Sequence, residues 1–88
     1  MNNPHHPFSP SDAARIIEDG PWLGKHGVIQ EVYPEAQRIM LFFDHFGRLM
    51  PCELEYSSVA KLSREEWDES LEQIHAQLFG GTTTTDGV

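Results

Sequence analysis

The sequence predicts a mostly β fold: a small barrel or sandwich of five short antiparallel strands, with one α-helix added at its C-terminal side. Three observations carry that expectation. Short β-rich runs recur at roughly ten-residue spacing between turn signals. One of them, Arg38–Asp44, alternates its apolar side chains with the period of a strand. A single stretch, Ser63–Phe79, changes to helical spacing.

The strands follow in order. Ala13–Glu18 is a short strand ending at the turn Asp19-Gly20-Pro21. Gly24-Lys25-His26-Gly27 leads into the β-rich run Val28–Tyr33, and Pro34-Glu35-Ala36-Gln37 turns the chain back. Arg38–Asp44 is the strongest strand, with Ile39, Leu41 and Phe43 as its inward set; Val28 and Val32 are expected to point inward in the same way. His45-Phe46-Gly47 turns into Arg48–Glu55, and Ser57–Leu62 completes five strands. Gly27 and Gly47 mark places of positive φ or close backbone approach. Pro51 within a strand argues for an edge or a bulge.

The helix is signalled at both ends. Ser63 with Glu66 reads as a capping box, Glu65, Glu66, Asp68 and Glu69 put negative charge in the first turns, and Gly80 is a suitable stop. Trp67, Leu71, Ile74 and Leu78 form one apolar stripe. Before the strands, Met1–Pro10 reads as a disordered arm with three prolines; beyond the helix, Gly80–Val88 reads as a disordered tail. The domains expected are therefore 1–10 arm, 11–62 barrel, 63–79 helix and 80–88 tail.

Bulk properties narrow the function. At 88 residues the chain is a single small domain, with a core of marginal stability. Fourteen acids against six bases give a net charge of −8. Residues 11–62 hold eight acids and five bases, and residues 63–79 five acids and one base. Nucleic-acid affinity comes largely from basic patches, and none is visible, so RNA or DNA is not the expected partner. No apolar run approaches the ~18 residues of a membrane span. The single cysteine, Cys52, excludes an intramolecular disulfide, fits a reducing cytoplasm and reads as a buried small hydrophobe. Five histidines lack ligand spacing, and Gly20, Gly24 and Gly27 lack the residues of a phosphate loop. No nucleophile–base arrangement emerges, so neither a cofactor, a metal nor enzymatic activity is expected.

One position stands out. Phe46, beside a glycine at a hairpin tip, cannot readily point wholly into a barrel. An exposed aromatic followed by Arg48 suits a protein contact, since aromatics and Arg are enriched at interface centres; the alternative is that Phe46 plugs one barrel end.

Two segments together carry a resemblance. Gly20-Pro21-Trp22-Leu23-Gly24-Lys25-His26-Gly27-Val28-Ile29-Gln30-Glu31-Val32 is similar to the KOW motif as it stands in NusG proteins. Phe46-Gly47-Arg48-Leu49-Met50-Pro51-Cys52-Glu53-Leu54 resembles their Phe-Gly-Arg-x-x-Pro-x-Glu-Leu pattern, and Ser58-Val59-Ala60-Lys61-Leu62 follows. The match runs from about Ala13 to Leu62. It implies an SH3-like (KOW) five-stranded barrel of the NusG C-terminal kind, and a protein-binding module of the transcription and translation machinery. The partners implied are the ribosomal protein NusE or the termination factor Rho. The implied contact residues are Trp22, Phe46, Gly47 and Arg48. Two other readings remain open: a nucleic-acid-binding KOW domain, which the acidic balance opposes, and an accessory small barrel of a phage, plasmid or larger complex, with an unrelated partner. Two departures matter. Lys25 stands where the family commonly has a second aromatic, and nothing in the sequence corresponds to the NusG domain that grips RNA polymerase. The chain is either a fragment or a free-standing KOW protein, and Met1 together with the extra helix favours the latter.

The helix has an expected seat. Met40 and Phe42 face outward where NusG proteins usually carry polar residues, and the Trp67–Leu78 stripe can cover them. The competing arrangement pairs helix with helix in a dimer; a monomer is expected over a homodimer.

Overall fold

A computed structural model describes residues 7–80. Five strands, β1 (Ala13–Ile16), β2 (His26–Tyr33), β3 (Arg38–His45), β4 (Arg48–Glu55) and β5 (Val59–Leu62), form one antiparallel sheet in the order β4-β3-β2-β1-β5. The helix α1 (Glu69–Phe79) follows β5. The fold is mostly β, an SH3-like barrel with an added helix.

The sheet curls around a core to which every strand contributes. Ala14 and Ile16 come from β1, Ile29 from β2, Ile39, Leu41 and Phe43 from β3, Leu54 from β4 and Val59 from β5. On β3 the alternation holds throughout: Ile39, Leu41 and Phe43 are buried.

On β2 it does not. The pairing of β2 with β3 shifts between Ile29 and Glu31, so Gln30 is the extra residue of a bulge. The expectation that Val28 and Val32 share a face is corrected by that residue. Val32 packs on the barrel core, whereas Val28 belongs to a second cluster on the outer face of the sheet, and Ile29 fills the inward place.

This second cluster is the seat of the helix. Leu71 and Ile74 are buried there against Ala13, Val28 and Leu62, with Phe42, Leu49, Trp67 and Leu78 packed around them. Burying a large aliphatic side chain contributes about 1.5–3 kcal/mol before the cost of ordering the helix, so these two are the main anchors of the helix on the sheet. Phe42 lies in this cluster and Met40 does not: its cross-strand partners on the same outer face are Glu31 and Glu53.

Further differences from the expected boundaries have local causes. The Ser63–Glu66 pair is joined, with the Ser63 amide donating to Glu66 Oε1 at 2.7 Å, but it heads only a 3-10 turn, Arg64–Glu66. Trp67 is extended, and the α-helix starts afresh behind Asp68, whose Oδ1 accepts from the Leu71 amide at 3.0 Å. The helix therefore begins at Glu69 instead of Ser63. It ends at Gly80, which takes φ 82° and donates its N–H to Ala76. Tyr56–Ser58 forms another 3-10 turn, so β5 starts at Val59.

At the other end, residues 1–6 of the expected arm and residues 81–88 of the expected tail lie outside the described residues. Within the arm, Phe8 is buried in the barrel core with its ring 5.3 Å from that of Tyr56. The Ser11 amide then donates to Ile29 O at 2.8 Å. A disordered arm extending to Pro10 is thus corrected, because Phe8 closes one side of the core.

A Cβ on Gly27 would stand 2.0 Å from the Phe42 carbonyl oxygen, so only glycine fits there. Pro51 lies on β4, an edge of the sheet order, where its missing N–H interrupts no inner ladder.

Candidate protein-contact site

The β3–β4 hairpin turns on two residues. Phe46 takes φ 53° and Gly47 φ 82°, both left-handed. This is the mirror-image turn whose twist suits a hairpin, and it favours Asn-Gly or Asp-Gly. Glycine adopts such a conformation freely, but a bulky residue there costs roughly 1–2 kcal/mol. Phe46 is also 90% exposed. A large apolar side chain thus stands in water, on a backbone that disfavours it, at the tip of a rigid hairpin.

Behind it runs a series of aromatic contacts. The Phe46 ring lies 4.6 Å from that of His45, and His45 lies 5.1 Å from Trp22 in an edge-on arrangement of 81°. Trp22 in turn lies 5.1 Å from Phe43 in the core. The tip is therefore connected to the barrel interior through rings alone. His45 Nδ1 is buried with no hydrogen-bond partner among the described residues, so stacking holds that ring.

Trp22 sits in the loop between β1 and β2, which the backbone shapes tightly. The Lys25 amide donates to Trp22 O at 3.0 Å, and the Gly24 amide to Ile16 O at 2.9 Å. Leu23, the next residue, is 55% exposed.

The structure thus brings Trp22 and Phe46 together through His45. Gly47 contributes only its backbone. Arg48, exposed, pairs across the hairpin with His45. Sequence reasoning missed His45 and Leu23. The signal for His45 was available, since continuing the alternation Ile39, Leu41, Phe43 one step places it on the inner side. Leu23 had none beyond being apolar in a turn.

The N-terminal end of the helix borders this site. A cleft of about 300 Å³ is lined by Gly24, Lys25, His26, Asp44, Ser70 and Ile74. Beside it, His26 Nε2 lies 3.4 Å from Asp68 Oδ2. The Asp68 carboxyl is held below its ordinary value by the Ser70 hydroxyl, then by the Leu71 amide, with His26 adding.

Other chemistry is sparse. Cys52 is half-buried, and burial followed by the Glu18 carboxylate raises its thiol pKa, the opposite of an activated nucleophile. Among the described residues no group of His, Cys, Asp or Glu is gathered to hold a metal ion, and no helix is long and apolar enough to cross a membrane.

Comparison with known proteins agrees with the fold. No protein-family model matches the chain. The transcription termination/antitermination protein NusG of Pseudomonas aeruginosa is 44% identical over 55 residues, covering 62% of this chain and 30% of that protein. NusG of Escherichia coli is 39% identical over 54 residues, covering 61% and 29%. Among solved structures, one of domain interaction in Thermotoga maritima NusG superposes with a TM-score of 0.59 at 37% identity, over 65% of this chain and 32% of the other. The chain spans about a third of the length of the relatives it matches.

Proposed function

We propose that this chain, whose barrel is a KOW-like domain of the NusG C-terminal type, is a protein-binding module of the transcription machinery and makes its contact through the β3–β4 tip. The observation that carries this reading is Phe46, 90% exposed at φ 53°. A strained, solvated aromatic at a rigid tip is a poor solution for stability alone, and such outliers concentrate at functional positions. Trp22 supports it from behind, Arg48 stands beside it, and Gly47 permits the turn. The partners implied by the family resemblance are NusE and Rho. A net charge of −8 opposes nucleic acid in that role.

The test is a titration of isotope-labelled protein with purified NusE and, separately, Rho, followed by amide spectra. Binding should shift the amides around Trp22 and His45–Arg48, and Phe46→Ala should weaken it roughly thirtyfold, as loss of an aromatic anchor worth ~2 kcal/mol does. If neither protein perturbs the spectrum, the partners are wrong. If Phe46→Ala binds as well as wild type, the site is wrong.

A further inference from the structure

We infer that Lys25 and Arg48 flank the aromatic tip as a cationic pair that selects an acidic protein segment, one offering an apolar side chain between aspartates or glutamates. The inference rests on the tip being the contact site and adds the chemistry of what it takes.

Fourteen acids face six bases, so every base has carboxylates to choose from. Arg38 pairs with Glu53 and Glu55, Lys61 with Asp12 and Arg64 with Glu72. Among the described residues Arg15, Lys25 and Arg48 are in no ion pair. Arg15 still acts within the chain, since its charge helps to hold the Glu66 carboxyl down. Lys25 and Arg48 remain, both exposed.

Both belong to the site by backbone geometry. Lys25 closes the turn that begins at Trp22, and Arg48 faces His45 across the hairpin. Asp44 lines the same cleft as Lys25 without pairing with it. The acids Glu53 and Glu55 are gathered at Arg38, the opposite end of β3. Asp68 stands beside the cleft of Lys25 but is already engaged by His26, the Ser70 hydroxyl and the Leu71 amide. An acidic molecule thus presents its uncommitted cations where its most exposed aromatic stands. Such an arrangement steers and selects an oppositely charged partner.

An acidic peptide fits this surface better than a nucleic acid does. Two cations release few counterions, and the overall negative charge repels a long polyanion. A short segment brings two or three charges together with the apolar anchor that Phe46 and Leu23 require.

The experiment uses three synthetic peptides sharing a central Leu-Phe pair, flanked by glutamates, serines or lysines, titrated into labelled full-length protein at low and physiological salt. The glutamate peptide should shift the amides of Lys25 and His45–Arg48 and bind about tenfold tighter than the serine peptide, with the advantage shrinking in salt. The K25E/R48E variant, which should melt as wild type does, should prefer the lysine peptide. Equal binding of all three peptides, or no shift with the glutamate peptide, overturns the inference. So does displacement of the glutamate peptide from these amides by a single-stranded RNA oligonucleotide. Titration with the protein partners separates the two readings. If they bind through Phe46 indifferently to K25E/R48E, this inference falls and the tip remains the site. If Phe46→Ala leaves the glutamate peptide bound as before, both fall.

Discussion

The edge of one ring against the face of the other joins Trp22 to His45 at 5.1 Å, and this contact ties the β1–β2 loop to the tip of the β3–β4 hairpin. Edge-to-face pairs contribute about 0.5–1.5 kcal/mol beyond the area they bury. Without it, two loops far apart in sequence would present separate surfaces. With it, Trp22 and Phe46 are joined by ring contacts to the barrel core at Phe43.

The first prediction separates stability from binding at one position. Phe46→Asn places at φ 53° a residue that the turn prefers. Relief of the left-handed cost should stabilise the fold by about 1 kcal/mol, which raises Tm by roughly 4–8 °C in a domain of this size. The same change should weaken the proposed protein contact. Thermal melting and the binding titration, run side by side, check both signs; a lower Tm would remove the argument from strain.

Gly27→Ala should be among the most damaging single substitutions. The added methyl meets the Phe42 carbonyl oxygen at 2.0 Å, and that oxygen belongs to a paired backbone with little room to move. Overpacking of this kind costs about 3 kcal/mol. Urea denaturation measures it, and a midpoint within error of wild type would mean that the two strands part without penalty.

The helix cluster makes a differential prediction on its two outward β3 residues. Leu71→Ala, at a fully buried position, should cost about 2–4 kcal/mol. Phe42→Ala, beneath the helix, should cost clearly more than Met40→Ala, which lies outside that cluster. Equal losses at positions 40 and 42 would place the helix elsewhere on the sheet.

Acid should loosen the helix start. The folded Asp68 carboxyl is depressed below its unfolded value, chiefly by the Ser70 hydroxyl and the Leu71 amide. Its charged form is therefore favoured by folding. That contribution is present above the unfolded carboxylate pKa and is lost as pH falls through the lower folded one. In Asp68→Asn the helix amides should lose protection at neutral pH, and the difference from wild type should shrink on acidification. A difference that grows in acid would contradict this.

Much of this was legible in the residues, and what was not has definite causes. The alternation Ile39, Leu41, Phe43 and the crowding at Gly27 could be read because strand period and glycine sterics leave few options. The outward turn of Val28 could not, since Gln30 gives no chemical sign that it is the extra residue of a bulge. Phe8 was hidden among prolines that speak for disorder, although an isolated aromatic can still close a core. Two successive caps, at Ser63 and Asp68, competed for one helix, and the need to lay Trp67 on the sheet decided for the second. At the site, Phe46 followed from its glycine neighbour and the inward place of His45 from the β3 alternation carried one step on, while the contact of His45 with Trp22 joins two loops that no local pattern relates.

Strand β1 carries a consequence of its own. It is paired along both edges, to β2 and to β5, with Ala13 turned under the helix and Ala14 turned into the barrel. Its two alanines therefore fix how closely the helical layer and the barrel interior approach. The amide protons of Ala13 to Ile16 should be the last to exchange with deuterated solvent, and their exchange rate should report the opening of the whole molecule at once.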